Sequence, residues 1–188
     1  MRSIVITGVS GAGKTTLATY AGRELGLACR DYADLMLEAS PSMPGKDALQ
    51  HLDAVTRRAI YRKVDDLLDR WFGAGSPDRG TVLLENHLSI LQDGRIVTWP
   101  AEGYRRYHAR GLVVVQADPA AIRTRRTGDP TRNRLLGSVG EIAAQQEVNR
   151  AQARSIAAHL GIPLLVVEND ALGAAIDGLV GWIMGLPA

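Results

Sequence analysis

Eight residues close to the start of the chain constrain its fold more than any other stretch. Gly8-Val9-Ser10-Gly11-Ala12-Gly13-Lys14-Thr15 reads G-x-x-x-x-G-K-[ST], the signature of a phosphate-binding loop. The glycines let main-chain N–H groups turn inward around phosphate oxygens, where a Cβ would intrude. A helix beginning at the loop aims its positive end at the same anion. Lys14 supplies a mobile ammonium, and the Thr15 hydroxyl suits an octahedral Mg²⁺. The flanks agree. Ser3–Thr7 is a strand of buried type, and Leu17, Ala18, Tyr20, Ala21 and Leu25 follow at helical spacing. Gly8, Gly11, Ala12, Gly13, Lys14, Thr15 and Thr16 therefore form a candidate nucleotide site, with Asn169 after the last strand joining it.

Beyond the loop, strand and helix patterns alternate, which argues for an α/β fold with a parallel sheet. Five strands are expected, at about 3–8, 27–30, 81–84, 112–117 and 164–167. Helices are expected at about 14–25, 33–39, 54–72, 119–126 and 139–160, with a final helix capped by Asp170. Asp118-Pro119 reads as an N-cap and N1 pair, and Ser138-x-x-Glu141 as a capping box. Ligands of such a sheet sit at the carboxyl ends of its strands. The expectation is one domain over 1–188, with an acceptor-binding insert at about 31–72 and a small lid at about 124–138.

Composition excludes several classes. A chain of 188 residues with 46% hydrophobic content can bury a sizeable core. It has no apolar run of about 18 residues, so no membrane span is expected. A strand pattern at the very start makes a signal peptide unexpected. Cys29 stands alone, which excludes a disulfide scaffold, suits a reducing cytoplasm, and fits a small core residue. A net charge of +2 gives no argument for nucleic acid as a partner.

Phosphoryl transfer needs positioning, a metal and positive charge more than covalent help. Glu85, at the carboxyl end of an apolar strand, is the candidate acid beside Mg²⁺, together with Thr15. Arg123-x-Arg125-Arg126-Thr127-Gly128-Asp129-Pro130-Thr131-Arg132-Asn133-Arg134 reads as a lid that closes charge over phosphates. Lys14, Arg126, Arg132 and Arg134 are the candidate catalytic groups, and Asp129 is read as orienting an arginine. His87 follows Glu85 by two residues and either contacts substrate or is structural. Trp99, after the Asp93-Gly94 turn, either walls a base pocket or covers a hairpin. His51, His108 and His159 read as surface residues, and Trp71 and Trp182 as helix packing.

These motifs together resemble adenylate kinases of the archaeal type, within the P-loop nucleoside monophosphate kinases. The opening from Ile4 to Thr16 looks like that family's. Tyr32-Ala33-Asp34-Leu35-Met36 is similar to its aromatic-Gly-Asp-x-Met element, and Glu85-Asn86-His87 stands where it has Asp-Thr-His. Gly94–Pro100, the arginine string and Asn149-Arg150 also correspond. The resemblance implies a strand order 2-3-1-4-5, ATP and Mg²⁺, transfer of a γ-phosphoryl group to AMP, and often a homotrimer. It marks Asp34 and Met36 in the monophosphate region. Where the family has Asp-x-x-Arg-x-Leu, this chain has Asp47-Ala48-Leu49-Gln50-His51-Leu52. Gln50 lacks the fork that an arginine would offer a phosphate.

The leading reading is an ATP-dependent kinase of a nucleoside monophosphate, with Arg57 or Arg58 taking the place left by Gln50. The first alternative is a kinase of an unphosphorylated nucleoside or other small metabolite, with a carboxylate such as Asp34 accepting a hydroxyl proton. The alternative from another class is a nucleotide-switched assembly factor that hydrolyses ATP on a partner.

Overall fold

The computed structural model describes residues 2–72, 80–92, 95–129 and 136–187. In chain order the elements are β1 (Arg2–Thr7), α1 (Lys14–Leu25), β2 (Ala28–Asp31), α2 (Tyr32–Ala39), α3 (Ala54–Phe72), β3 (Thr81–Glu85), β4 (Ser89–Gln92) and β5 (Arg95–Thr98). Then come β6 (Ala109–Gln116), α4 (Pro119–Thr127), α5 (Val139–Leu160), β7 (Leu164–Glu168) and α6 (Leu172–Met184). Short 3-10 turns occupy Lys46–His51 and Ala101–Tyr107.

Five strands form a parallel sheet in the order β2-β3-β1-β6-β7, and β4 and β5 pair apart from it as an antiparallel hairpin. With the hairpin set aside, this is the order the family resemblance implies. Alternation along the strands divides the core in two. Ile4, Ile6, Leu83, Val113 and Val115 face α1 and α6, whose Leu17, Ala18, Ala21 and Leu179 are fully buried. Val5, Val82, Leu84, Leu112 and Val114 face the other way, onto Ile60, Val64 and Leu68 of α3 and Ile156 of α5. The sheet is covered on both faces, so its central strands read as continuous apolar runs.

Local chemistry sets the helix starts. Asp31 caps α2 by accepting from the Ala33 N–H, and Asp118 caps α4 through Ala121 with Pro119 in the first turn. Ser138 and Glu141 complete the capping box of α5. One cap differs from expectation. Ala171, not Asp170, precedes α6, and the Asp170 carboxylate instead accepts from the Asp118 N–H at 2.8 Å. It ties together the segments that leave β6 and β7, a long-range use that no local pattern signals. Cys29 is half-buried, its thiol directed at the Ala18 carbonyl, and burial pushes its pKa up. His51, His108 and His159 are exposed.

Candidate active site

Two adjoining clefts open at the carboxyl ends of the strands. The smaller, of about 250 Å³, is lined by Ser10, Gly11, Gly13, Lys14, Thr15, Thr16, Glu85, Arg125 and Asp129. The larger, of about 400 Å³, lies between α2, α3 and the 101–107 turn. Ser10, Asp31, Asn86 and His87 line both, so they mark the junction.

The smaller cleft is built from backbone. Gly8 and Gly13 take positive φ of 150° and 96°. A Cβ on Gly8 would stand 2.4 Å from the Val115 carbonyl oxygen, and one on Gly13 would stand 2.2 Å from the Asn169 amide nitrogen. The loop is pressed against β6 and the end of β7, which only glycine permits. Asn169 is buried and donates to the Ala12 carbonyl at 2.8 Å. The structure thus places Asn169 beneath the loop rather than among the cleft-lining residues. Lys14 donates to the Gly8 and Val9 carbonyls at 2.9 and 3.2 Å.

Thr15 Oγ1 donates to Glu85 Oε2 at 2.7 Å. The pairing follows from topology, since β3 lies next to β1 and ends beside the loop. Burial raises the pKa of Glu85, and the Thr15 hydrogen bond only partly opposes that; Asp31 adds repulsion. A hydroxyl and a carboxylate facing a phosphate cradle fit Mg²⁺, which takes few protein ligands and completes its shell with phosphate and water. No cluster of three or more His, Cys, Asp or Glu able to hold a metal occurs among the described residues.

Arg126 is buried, with Nε donating to the Ser10 carbonyl at 2.9 Å and Nη1 to Leu136 at 3.1 Å. It joins the phosphate loop to the segment before α5, and it lines the larger cleft. Arg125 donates to the Asn169 carbonyl at 3.1 Å and lines the smaller one. Arg132 and Arg134 lie outside the described residues.

The larger cleft is built from side chains. Tyr32 meets Tyr61 and Tyr107 edge-on at 6.1 Å each, and Tyr61 meets Trp99 at 6.2 Å. Asn86 donates to the Tyr107 hydroxyl at 3.0 Å. Of the sequence candidates, Met36, Arg57, His87 and Trp99 line this cleft. Arg57, on the first turn of α3, is 8% exposed and donates to the Leu52 carbonyl at 3.1 Å. Arg58 is exposed and lies outside the lining. Gln50 falls in the 3-10 turn at Lys46–His51.

Asp34 is also outside the lining. Its carboxylate is exposed and pairs with Lys46 at 2.7 Å. Lys46 bonds Asp31 at the same distance, and Asp31 also accepts from the Ala33 N–H. Burial raises the Asp31 pKa, but the Lys46 and Ala33 hydrogen bonds outweigh it, leaving the carboxyl below its ordinary value. Asp31, not Asp34, is the carboxylate at the junction. Sequence reading missed Asp31, Lys46, Tyr61 and Asp65 as cleft residues. Only Asp31 carried a signal, being the last residue of a strand next to β3.

A family profile described as an AAA domain matches residues 7–143. Over 171 residues the chain is 32% identical to the adenylate kinase of Thermoplasma volcanium, covering 90% of this chain and 91% of that one. The chain belongs to the adenylate kinase family of archaeal type. The adenylate kinase of Methanopyrus kandleri is 30% identical over 97% of this chain and 98% of its own. A shikimate kinase from Bacteroides thetaiotaomicron superposes with a TM-score of 0.65 at 15% identity, over 97% of this chain and 98% of that one, a likeness of fold. Membership in the adenylate kinase family makes the protein a P-loop phosphotransferase that acts on nucleotides. No helix among the described residues is long and apolar enough to cross a membrane.

Proposed function

We propose that this protein transfers the γ-phosphoryl group of ATP to a nucleoside monophosphate held in the larger cleft, with AMP first among the acceptors. The observation that carries this is Arg57. It is a buried guanidinium in the acceptor cleft, on a segment next to the one where Gln50 stands in place of an arginine. A forked cation suits a phosphate, and one that is already buried loses little freedom in gripping it. The names of the curated relatives support AMP. Mg²⁺ would be held by Thr15 and Glu85 with phosphate oxygens, and would neutralise charge there. Lys14 and Arg126, with Arg132 and Arg134 from the lid, supply positive charge around the transferring group.

Asp31 favours a second reading, in which an acceptor alcohol loses its proton to a carboxylate. Asp31 lines both clefts, where such a base must stand. Labelled ATP offered with AMP, the other monophosphates and the corresponding free nucleosides separates the two. Rapid formation of ADP from AMP supports the monophosphate reading. Label moving only to free nucleosides or other alcohols sinks it and favours Asp31 as base.

A further inference from the structure

The proposed reaction leaves the cleft carboxylate of Asp65 unused. Asp65 lines the larger cleft among Tyr32, Tyr61, Tyr104 and Tyr107. It is half-buried, and its nearest partner is Arg106 at 3.4 Å, which also reaches Asp69 at 3.5 Å. A carboxylate in an aromatic compartment is costly unless something offers it hydrogen bonds. Burial raises its pKa, Arg106 lowers it, and Asp69 and Asp66 raise it again, so the carboxyl stays above its ordinary value.

Its place along α3 gives it a role. Arg57, Tyr61 and Asp65 follow one another at intervals of four, on the one helix face that lines the cleft. Eight residues at about 1.5 Å each put the Cα atoms of Arg57 and Asp65 roughly 12 Å apart along the axis. The direction is also fixed. Phe72, at the far end of α3, stacks on His108, and the His108 carbonyl accepts from the Ser3 N–H at the amino edge of the sheet. Arg57 therefore lies toward the carboxyl edge, where the phosphate loop is, and Asp65 lies two turns deeper. Cation, aromatic ring and carboxylate succeed one another in the order in which a nucleoside monophosphate presents phosphate, sugar and base.

We infer that Asp65 selects the acceptor by accepting a hydrogen bond from an exocyclic amino group of its base. This rests on the nucleotide-acceptor reading above, and it concerns the base rather than the phosphate. An ionised carboxylate only accepts. It pairs with the 6-amino group of adenine and opposes the 6-oxo group of hypoxanthine, which also only accepts. AMP and IMP, which differ at that edge, are the diagnostic pair.

The test compares kcat/KM for AMP and IMP in wild type, Asp65→Asn and Asp69→Asn. An amide both donates and accepts at nearly the same volume, so Asp65→Asn should fold normally, checked by its Tm. The wild-type preference for AMP should fall by about tenfold to a hundredfold in Asp65→Asn, the range for a lost hydrogen bond to a charged group. The change should lie in KM. Asp69→Asn, which shares Arg106 but not the cleft, should keep the wild-type ratio. An unchanged ratio in Asp65→Asn overturns the inference, as does an equal change in Asp69→Asn. If monophosphates are not acceptors but adenosine is, the phosphate reading fails alone, and the adenosine-to-inosine ratio in the same variants decides the role of Asp65. If neither pair accepts phosphate, both readings fall together.

Discussion

The two clefts share a junction and are built in opposite ways. The smaller one is framed by a loop whose Gly8 and Gly13 are jammed against Val115 and Asn169. The larger one presents tyrosines, a tryptophan and charged groups from α2, α3 and the 101–107 turn. A site made of backbone tolerates almost no substitution. A site made of side chains can be re-lettered one residue at a time. The donor half should therefore be built alike across the family, and the residues around the acceptor should be where this chain differs.

The largest effect is expected on the donor side. Lys14→Ala should lower kcat by about 3–4 kcal/mol of transition-state stabilisation while the fold persists. Near wild-type turnover would detach the loop from the chemistry. Next is the acceptor side. Arg57→Ala should raise the KM for AMP by about tenfold to a hundredfold, and Arg58→Ala should leave it unchanged. Equal effects at both positions would mean that burial and cleft lining do not identify the phosphate contact. Gln50→Arg should lower that KM if the acceptor carries a phosphate.

Two carboxylates, Glu85 in the smaller cleft and Asp31 at the junction, sharpen the contrast through pH. Burial raises the pKa of Glu85, so its ionisation costs stability as pH rises above the ordinary carboxylate range. Glu85→Gln should be more heat-stable than wild type at neutral pH, less so in acid, and nearly inactive. Asp31 runs the other way. Burial opposes its ionisation, but Lys46 and Ala33 prevail and hold the carboxyl low. It contributes stability above its ordinary pKa, and that contribution fades as pH falls through the lowered value. Asp31→Asn should lose stability at neutral pH and recover parity in acid. Thermal melts of both variants across pH check the signs. A destabilised Glu85→Gln would mean that the Thr15 hydrogen bond outweighs burial.

The smallest effect is expected at the cleft wall. Tyr61→Phe keeps the ring that meets Tyr32 and Trp99, and should alter the KM for AMP by less than about threefold, since edge-to-face packing is retained. A loss in kcat would show that the hydroxyl takes part in the reaction.

The sequence was most readable where spacing and geometry coincide. Gly8 to Thr15 could be placed because each residue type answers a steric or electrostatic demand within a few residues. The caps at Asp118 and Ser138 were readable for the same reason. Glu85 needed only the assumption that its strand adjoins the first. The larger cleft was opaque because its members are separated in sequence and meet only through packing. Lys46 follows a proline-containing turn and bonds a strand end fifteen positions earlier. Asp65 looks like one more charge on a long amphipathic helix until the 101–107 turn is laid against it. Asp170 misled because a good local cap was drawn away by a distant N–H.

Tyr107 spans the thickness of this assembly. Its carbonyl accepts from the Ser3 hydroxyl at 2.7 Å at one edge of the sheet, and its own hydroxyl accepts from Asn86 at the other. β1, which leads into the phosphate loop, and β3, which leads to Glu85, thus hold a single strut between them. Cleft floor and phosphate cradle are gauged from one frame, so the depth available to an acceptor is set in units of strand length.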